Sequence, residues 1–188
     1  IESVLDWATA RKYRSGENPA RWKGHLDKLL PAPGKIKKVE HQRALPFNEI
    51  AGFMDELKSH QGIAARALEF TILCAARSGE VRGATWSEID MEKAVWTIPS
   101  QRMKAGKEHR VPLSGAAIKI LESLPRHTDS NLVFPGTKGR PLSDMSLLAV
   151  LRRMKVNAVT HGFRSSFRDW VSEATNYQSD LAEQALAH

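Results

Sequence analysis

Hydrophobic residues recur at helical spacing along most of the 188-residue chain. The pattern predicts helices over residues 47–57, 63–76, 79–84, 115–124, 143–154, 160–174 and 179–188. The helix over 63–76 is apolar almost all round, so we expect it to be buried at the centre of the fold. The expected N-caps are Ser78, either Ser143 or Asp144, and Thr160, because short polar side chains favour that position.

The periodicity changes between residues 86 and 113 to that of short strands. Trp86–Asp90, Ala94–Ile98 with its continuation to Lys104, and His109–Leu113 are separated by turn residues. Gly106 lies in the second turn, which favours a hairpin between the last two strands. The predicted fold is α+β and mainly helical, with a small three-stranded antiparallel sheet.

The dense pattern begins at residue 45, and two weaker segments precede it. Residues 1–30 carry two short apolar clusters, the second over Trp22–Leu30, which is too little for an independent core. We expect them to be the end of a helical domain whose start is absent. Residues 31–44 are rich in proline and lysine, which is typical of a solvated linker.

Composition narrows the class of partner. The net charge of +7 and the pI of about 9.7 indicate a polyanion, with nucleic acid first and an acidic membrane surface second. Cys74 is the single cysteine, which excludes an internal disulfide framework and a cysteine-rich zinc site. The longest apolar run is too short to span a bilayer and no signal peptide is visible. Because the chain begins with Ile1, we expect it to be part of a longer protein.

Three cationic positions stand apart in the sequence. His161, Arg164 and Arg168 lie on one side of the helix predicted over 160–174, next to free N–H groups that favour an anion. The apolar stripe of that helix passes beside Arg164, so its stem should be packed. Arg77 lies at a junction between two helices, where a simple ion pair with Glu80 is an alternative role. The predicted hairpin carries four further basic residues, Arg102, Lys104, Lys107 and Arg110.

Several short motifs occur together over residues 45–188. In chain order they are Ala76-Arg77-Ser78-Gly79-Glu80-Val81-Arg82-Gly83, Trp86-Ser87-Glu88-Ile89-Asp90, Trp96-Thr97-Ile98-Pro99, Arg102-Met103-Lys104, Arg110-Val111-Pro112-Leu113-Ser114, His161-Gly162-Phe163-Arg164 and Leu186-Ala187-His188. This order and spacing resemble the catalytic domain of the tyrosine recombinases, specifically the prophage and genomic-island integrases. Any one of these motifs is a weak signal, whereas the whole series is specific.

The resemblance implies a role for each matching residue. Arg77 and Arg164 would hold the non-bridging oxygens of the scissile phosphate, and Lys104 would protonate the departing 5′-oxygen. The other expected roles are His161 on the nucleophile's proton or the phosphate, His188 on the phosphate, Glu80 as a brace for Arg77, and Arg102, Lys107, Arg110 and Arg168 as DNA contacts. The chemistry favours the same residue types, because forked guanidiniums bind two oxygens at once.

Two departures from the family pattern concern the nucleophile and the residues before Arg77. The family's nucleophile is a tyrosine roughly ten residues after the last histidine, beyond His188, so we expect this chain to lack it. We assign neither Tyr13 nor Tyr177 that role. The pair Ala75-Ala76 stands where the family often has Thr-Gly, and small residues still allow a tight junction.

The resemblance implies DNA strand cleavage and rejoining through a 3′-phosphotyrosine, in integration or excision of a mobile element. Residues 1–30 would then be the remnant of a core DNA-binding domain, 31–44 the linker and 45–188 the catalytic domain. The implied partners are duplex DNA attachment sites, a homotetramer on DNA, a directionality factor and a host DNA-bending protein, with no membrane, cofactor or metal. The expected location is the cytoplasm of a bacterium.

Three other functions are compatible with parts of the sequence. A DNA-binding module without chemistry explains the charge but not the matching motifs. A metal-dependent nuclease finds little support, because the histidines are scattered and no acidic cluster lies near them. A type IB topoisomerase would share the active-site chemistry, but the motifs at 86–90 and 111–114 favour an integrase.

Overall fold

The chain divides into two units, residues 1–41 and 42–188, and the computed structural model describes residues 1–31, 42–126 and 129–187. The boundary lies near the predicted one at residue 45. Most of the predicted linker, 31–44, lies outside the described residues.

The smaller unit begins with helix α1 (Glu2–Ala10). In the second apolar cluster, Trp22–Leu30, the backbone angles of Lys23 and Gly24 are non-helical, so no continuous helix forms there. Only a single helical turn, Asp27–Leu29, follows them in this part of the described chain.

The larger unit contains most of the secondary structure. Its elements are α2 (Ile50–Ser59), α3 (Ile63–Leu73), α4 (Ser78–Arg82), β1 (Ile89–Asp90), β2 (Val95–Ile98), β3 (His109–Pro112), α5 (Gly115–Ser123), α6 (Ser146–Arg153), α7 (Gly162–Ala174) and α8 (Ser179–Ala185). The three strands form one antiparallel sheet in the order β1-β2-β3. The predicted fold class, mainly helical α+β with a three-stranded sheet, is confirmed. None of the described helices is long and apolar enough to cross a membrane.

Helix α3 is the centre of the core, as its sequence predicts. Phe70 on α3 is fully buried and its ring lies 5.5 Å from the ring of Trp96 and 5.4 Å from that of Phe134. These contacts join the helix to β2 and to the segment that follows α5. Burying a large aromatic side chain stabilises a fold by about 1.5–3 kcal/mol, so α3 fixes the position of the elements around it.

Helix α3 ends earlier than predicted, at Leu73 rather than Ala76. The N–H of Ala75 donates to the carbonyl of Ile72, and the N–H of Ala76 donates to that of Thr71, both at 3.1 Å. Ala75 has a left-handed φ of 46°, so the chain turns sharply in a Schellman motif. Glycine adopts this conformation without a steric penalty, whereas alanine is strained there.

The predicted N-caps are wrong by one or more residues. Helices α4, α6 and α7 follow Arg77, Met145 and His161 rather than Ser78, Ser143 or Asp144, and Thr160. At α4 the carboxylate of Glu80, inside the helix, accepts the N–H of Arg77. This bond caps the helix in place of a bond from the side chain of the residue before it. At α6 the hydroxyl of Ser143 lies 2.9 Å from that of Ser146, and no side-chain cap bond is formed.

The strands are shorter than predicted. Trp86–Glu88 and Ser100–Arg102 form 3-10 turns rather than strand ends. In β2, Trp96 and Ile98 are fully buried and their partners in β3 are Val111 and His109. The residues between them face the other side of the sheet, so the hairpin presents one face to the core and one to solvent.

Candidate functional site

Arg77 lies between α3 and α4 and is held by Glu80. Its backbone N–H donates to Oε2 of Glu80 at 2.8 Å, and its Nη1 donates to Oε1 at 2.9 Å. Its Nη2 donates to the carbonyl of Ala187 at 3.4 Å. The Arg77 side chain is 23% exposed and that of Glu80 6% exposed. The sequence left open whether Arg77 pairs with Glu80, and it does so while its side chain stays partly exposed.

Arg164, on the first turns of α7, is far more enclosed. The residue is 5% exposed, as expected from its place beside the apolar stripe. Its Nη1 donates to the carbonyl of Ala75 at 2.6 Å and its Nη2 to that of Leu186 at 2.5 Å. Charge-assisted hydrogen bonds to two separate segments fix the plane of this guanidinium.

Burial and a neighbouring charge both act on the Arg164 guanidinium. Desolvation, followed by the positive charge of Arg77, lowers the pKa of Arg164 from its ordinary value, while Glu80 and Glu183 oppose the change. The group stays protonated, because an arginine begins from a very high pKa. A bound anion would offset the repulsion between the two guanidiniums.

Two helix ends provide the oxygen atoms that surround these arginines. Ala75 follows the end of α3, and Leu186 and Ala187 follow the end of α8. Carbonyls at such ends lack intrahelical partners and carry partial negative charge. Ala187, like Ala75, has a left-handed φ, of 53°, which turns the chain at the point where its carbonyl meets Arg77. The sequence motifs before Arg77 and at 186–187 therefore form the frame of one site.

The start of α7 is packed against an extended segment of backbone. The carbonyl of Arg43 accepts the N–H of Val159 at 3.0 Å, and the hydroxyl of Ser166 donates to the carbonyl of Leu45. A Cβ on Gly162 would lie 2.2 Å from the Arg43 oxygen and 2.9 Å from Cα of Ala44. Only glycine allows this approach, which fixes the helix that carries Arg164.

Of the two predicted histidines, only His161 lies within the described residues. His161 is exposed and immediately precedes α7, one helical turn before Arg164. Its carbonyl accepts the N–H of Arg164 at 3.1 Å. His188 lies outside the described residues.

The hairpin between β2 and β3 carries the predicted lysine. Lys104 and Lys107 in the connection and Arg110 on β3 are exposed. The N–H of Gly106 donates to the carbonyl of Met103 at 3.0 Å, and Met103 is buried. Met103, the residue before Lys104, is therefore anchored in the core, while Lys104 itself faces solvent.

Arg102 is held within the protein. Its Nη1 donates to both carboxylate oxygens of Glu88, and its Nη2 donates to the backbone carbonyl of Glu80. The Arg102 side chain is 24% exposed, and its predicted contact with DNA stays a prediction. The sequence indicated no role for Glu88, although an acidic residue shortly before the buried Trp96 was a usable signal.

Arg168 lies on the outer face of α7. Its Nη2 contacts Oε1 of Glu183 on α8 at 2.8 Å, and its side chain is 63% exposed. An exposed pair of this kind contributes about 0–1 kcal/mol, so it does not prevent a contact with DNA. The described residues include no group of three or more His, Cys, Asp or Glu that could hold a metal ion.

Comparison with known proteins identifies the family of the chain. The model of the phage integrase family matches residues 43–188. The prophage integrase IntZ of Escherichia coli K12 is 35% identical over 159 residues, which are 82% of this chain and 40% of that protein. The integrase of Enterobacteria phage P4 is 31% identical over 172 residues, 80% of this chain and 39% of that protein. The chain therefore spans about two fifths of the length of these curated relatives.

Solved structures show the same fold. A lambda integrase (75–356) dimer bound to a COC′ core site superposes with a TM-score of 0.68 at 17% identity, covering 100% of this chain and 68% of that one. A lambda integrase tetramer bound to a Holliday junction gives a TM-score of 0.66 at 18% identity, covering 100% and 55%. The family match covers the whole larger unit except its first residue, including the Arg77–Glu80–Arg164 cluster, and by it the chain belongs to the phage integrase family.

Proposed function

We propose that the protein takes part in site-specific DNA recombination, in which a DNA strand is cleaved and rejoined through a 3′-phosphotyrosine. The observation that carries this proposal is the meeting of Arg77 and Arg164 at the carbonyls of Leu186 and Ala187. Two guanidiniums held at one place form a site for a single doubly charged group, such as a phosphodiester in its transition state.

Arg77 and Arg164 would bind the non-bridging oxygens of the scissile phosphate. A guanidinium has five N–H donors, so internal contacts to carbonyls and to Glu80 are compatible with a further contact to phosphate. Those contacts hold the fork before substrate arrives, and preorganised donors stabilise developing charge without reorganisation. His161, one turn before Arg164, and His188 would act on the nucleophile's proton and on the phosphate.

Lys104 would give a proton to the departing 5′-oxygen. It lies on an exposed hairpin whose base touches Glu80 through Arg102, so a DNA strand bound at Arg77 would pass near it. Lys107, Arg110 and Arg168 would contact the phosphate backbone on either side.

The nucleophile would be a tyrosine beyond residue 188, and we assign that role to neither of the described tyrosines. Tyr177 is 63% exposed and shares a surface pocket with Val171 and Ala182. Val171 follows Arg164 by seven residues along α7, a distance of roughly 10 Å at 1.5 Å per residue. Tyr13 belongs to the smaller unit.

The wider assembly follows the same proposal. The substrate would be a duplex attachment site, and the acting form a homotetramer on DNA, by analogy with the lambda integrase tetramer on a Holliday junction. A directionality factor and a host DNA-bending protein would regulate it in the bacterial cytoplasm.

The test uses DNA with sulfur at the bridging 5′ position, because a thiolate leaves without a proton from the enzyme. In the protein extended through its nucleophilic tyrosine, Lys104→Ala should cleave normal DNA ~10²–10⁴-fold more slowly than wild type. On the sulfur substrate it should recover most of that loss, whereas Arg164→Ala should not, because its charge acts on the non-bridging oxygens.

Three results would contradict parts of the proposal. Equal defects of Lys104→Ala on both substrates would reduce Lys104 to a DNA contact. A denaturation-resistant DNA adduct formed by the 188-residue chain itself would show that the assignment of the nucleophile is wrong, with Tyr177 as the first suspect. Tight DNA binding with no cleavage by the extended protein would instead indicate a non-catalytic module.

A further inference from the structure

A nearly buried ion pair lies at the base of the β2–β3 hairpin. Arg102 holds both oxygens of Glu88 with one nitrogen, and the exposed fractions of the two side chains are 24% and 9%. Oε2 of Glu88 also accepts the indole N–H of Trp96 at 2.9 Å. Trp96 is fully buried, so this carboxylate is anchored to the core and in turn fixes the guanidinium.

The same guanidinium reaches the site through α4. Nη2 of Arg102 donates to the backbone carbonyl of Glu80, whose side chain holds Arg77. A Cβ on Gly83 would lie 3.0 Å from that Nη2, so the side chain passes directly over the C-terminal end of α4. Arg102 thus bridges the hairpin and α4, the helix that follows Arg77.

Lys104 lies two residues after Arg102 in the chain. The N–H of Arg102 donates to the carbonyl of Pro99 at 3.0 Å, and the N–H of Met103 donates to that of Ser100 at 3.1 Å. The backbone after Arg102 therefore forms a fixed turn with Met103 buried, which restricts the position of the Lys104 backbone. Beyond Lys104 the hairpin is exposed as far as residue 108, and the N–H of Gly106 closes the turn around the lysine onto the carbonyl of the buried Met103.

We propose that Arg102 and Glu88 are positioning residues that set the hairpin lysine, Lys104, at the correct distance from Arg77. The inference rests on the proposed function, because it needs Lys104 to be the proton donor. A donor displaced by about 1 Å loses up to roughly 100-fold in rate, whereas the binding of DNA through surface phosphate contacts would change little. The pair would therefore act on the protonation step rather than on affinity.

The test compares variants of Arg102 with Lys104→Ala in the protein extended through its tyrosine. Arg102→Lys keeps the charge but cannot span Glu88 and the Glu80 carbonyl. Arg102→Lys and Arg102→Ala should cleave normal DNA ~10–100-fold more slowly than wild type, with unchanged DNA affinity and salt dependence. On DNA with a bridging 5′-sulfur both should recover most of the loss, as Lys104→Ala does.

Folding and coupling are controlled separately. Lys93→Ala removes a cation from an exposed ion pair with Asp90, in the turn between β1 and β2, and should behave as wild type on both substrates. Arg102→Ala combined with Glu88→Ala should be no slower than the slower single variant, because each single variant already breaks the Arg102–Glu88 pair that the positioning requires. Urea denaturation of each variant shows whether it is folded at the assay temperature, and Arg102→Lys serves if Arg102→Ala is not.

The outcomes separate this inference from the proposed function. If Lys104→Ala recovers on sulfur and the Arg102 variants show no defect, or one that persists on sulfur, the positioning role is wrong and the proposed function stands. If Lys104→Ala itself fails to recover, the assigned proton donor is wrong and the positioning role fails with it. A weaker salt dependence in Arg102→Ala would instead make Arg102 a DNA contact.

Discussion

At the scale of single residues, Arg77 and Arg164 have the same charge but different surroundings. Arg164 is buried and joins two segments through the carbonyls of Ala75 and Leu186. Arg77 is partly exposed, and its partner Glu80 is on the next helix turn. Arg164 should therefore contribute to both stability and chemistry, whereas Arg77 should contribute mainly to chemistry.

Lysine substitution separates these contributions. Arg164→Lys should lower the free energy of unfolding by about 2–3 kcal/mol, because one ammonium cannot satisfy both carbonyls and the remaining acceptor stays buried. Arg77→Lys should cost about 1 kcal/mol or less, since an ammonium can still pair with Glu80. Urea denaturation of the 188-residue chain measures both, and a total stability of about 5–15 kcal/mol keeps each variant folded.

In the extended protein both variants should lose most DNA cleavage, because lysine cannot hold two oxygens in one plane. Neither should recover on the substrate with a bridging sulfur. Near-normal cleavage by Arg77→Lys at wild-type stability would show that this arginine serves only to hold Glu80.

At the scale of elements, the start of α7 is a closely packed junction. Gly162 lies where α7 meets the backbone of Arg43 and Ala44, and Ser166 donates to the carbonyl of Leu45. The helix can shift only if this segment shifts with it. The placement of Arg164 therefore depends on residues far from it in sequence.

Gly162→Ala tests this dependence, and Gly115→Ala is its matched control. Both glycines are the first residue of a helix, but a Cβ on Gly115 would meet nothing within 4 Å. Gly162→Ala should destabilise the chain by about 1–3 kcal/mol through overpacking, and Gly115→Ala should be neutral or stabilising by up to about 1 kcal/mol. Equal denaturation midpoints for the two variants would contradict the close packing at α7.

Most helices and the three strands could be predicted from the sequence, because hydrophobic periodicity reports which face of a helix or strand is buried. Helix ends could not, since they depend on contacts such as that of Glu80 with the N–H of Arg77, and on the left-handed turn at Ala75. The frame of backbone carbonyls around Arg164 was also beyond prediction, because any residue type provides a carbonyl. The DNA role predicted for Arg102 stays untested, and its pairing with Glu88 depends on tertiary contacts that the sequence does not reveal.

At the scale of the whole molecule, the question is which part of the net charge of +7 would meet DNA. Arg66 and Arg102 are paired with buried or nearly buried carboxylates, so their charge is largely neutralised within the fold. Lys107 and Arg110 are exposed on the hairpin. If DNA were attracted only by the overall positive charge, loss of any exposed cation would weaken binding equally. DNA held at the proposed site would depend on Lys107 and Arg110 more than on cations elsewhere.

The salt dependence of DNA binding by the 188-residue chain distinguishes binding through the hairpin from binding through overall charge. Each phosphate contact releases counterions and adds about 0.9 to the slope of log K against log salt concentration, so the Lys107→Ala/Arg110→Ala double variant should reduce the slope by about 2. Lys93→Ala, at a side chain that is 75% exposed and paired with Asp90, should leave it unchanged although it also removes a positive charge. Binding of a labelled duplex, measured by fluorescence anisotropy from low to moderate salt, gives each slope. If Lys93→Ala weakens the dependence as much per charge as the hairpin variant does, the chain binds DNA through its overall charge, and the hairpin is not its contact surface.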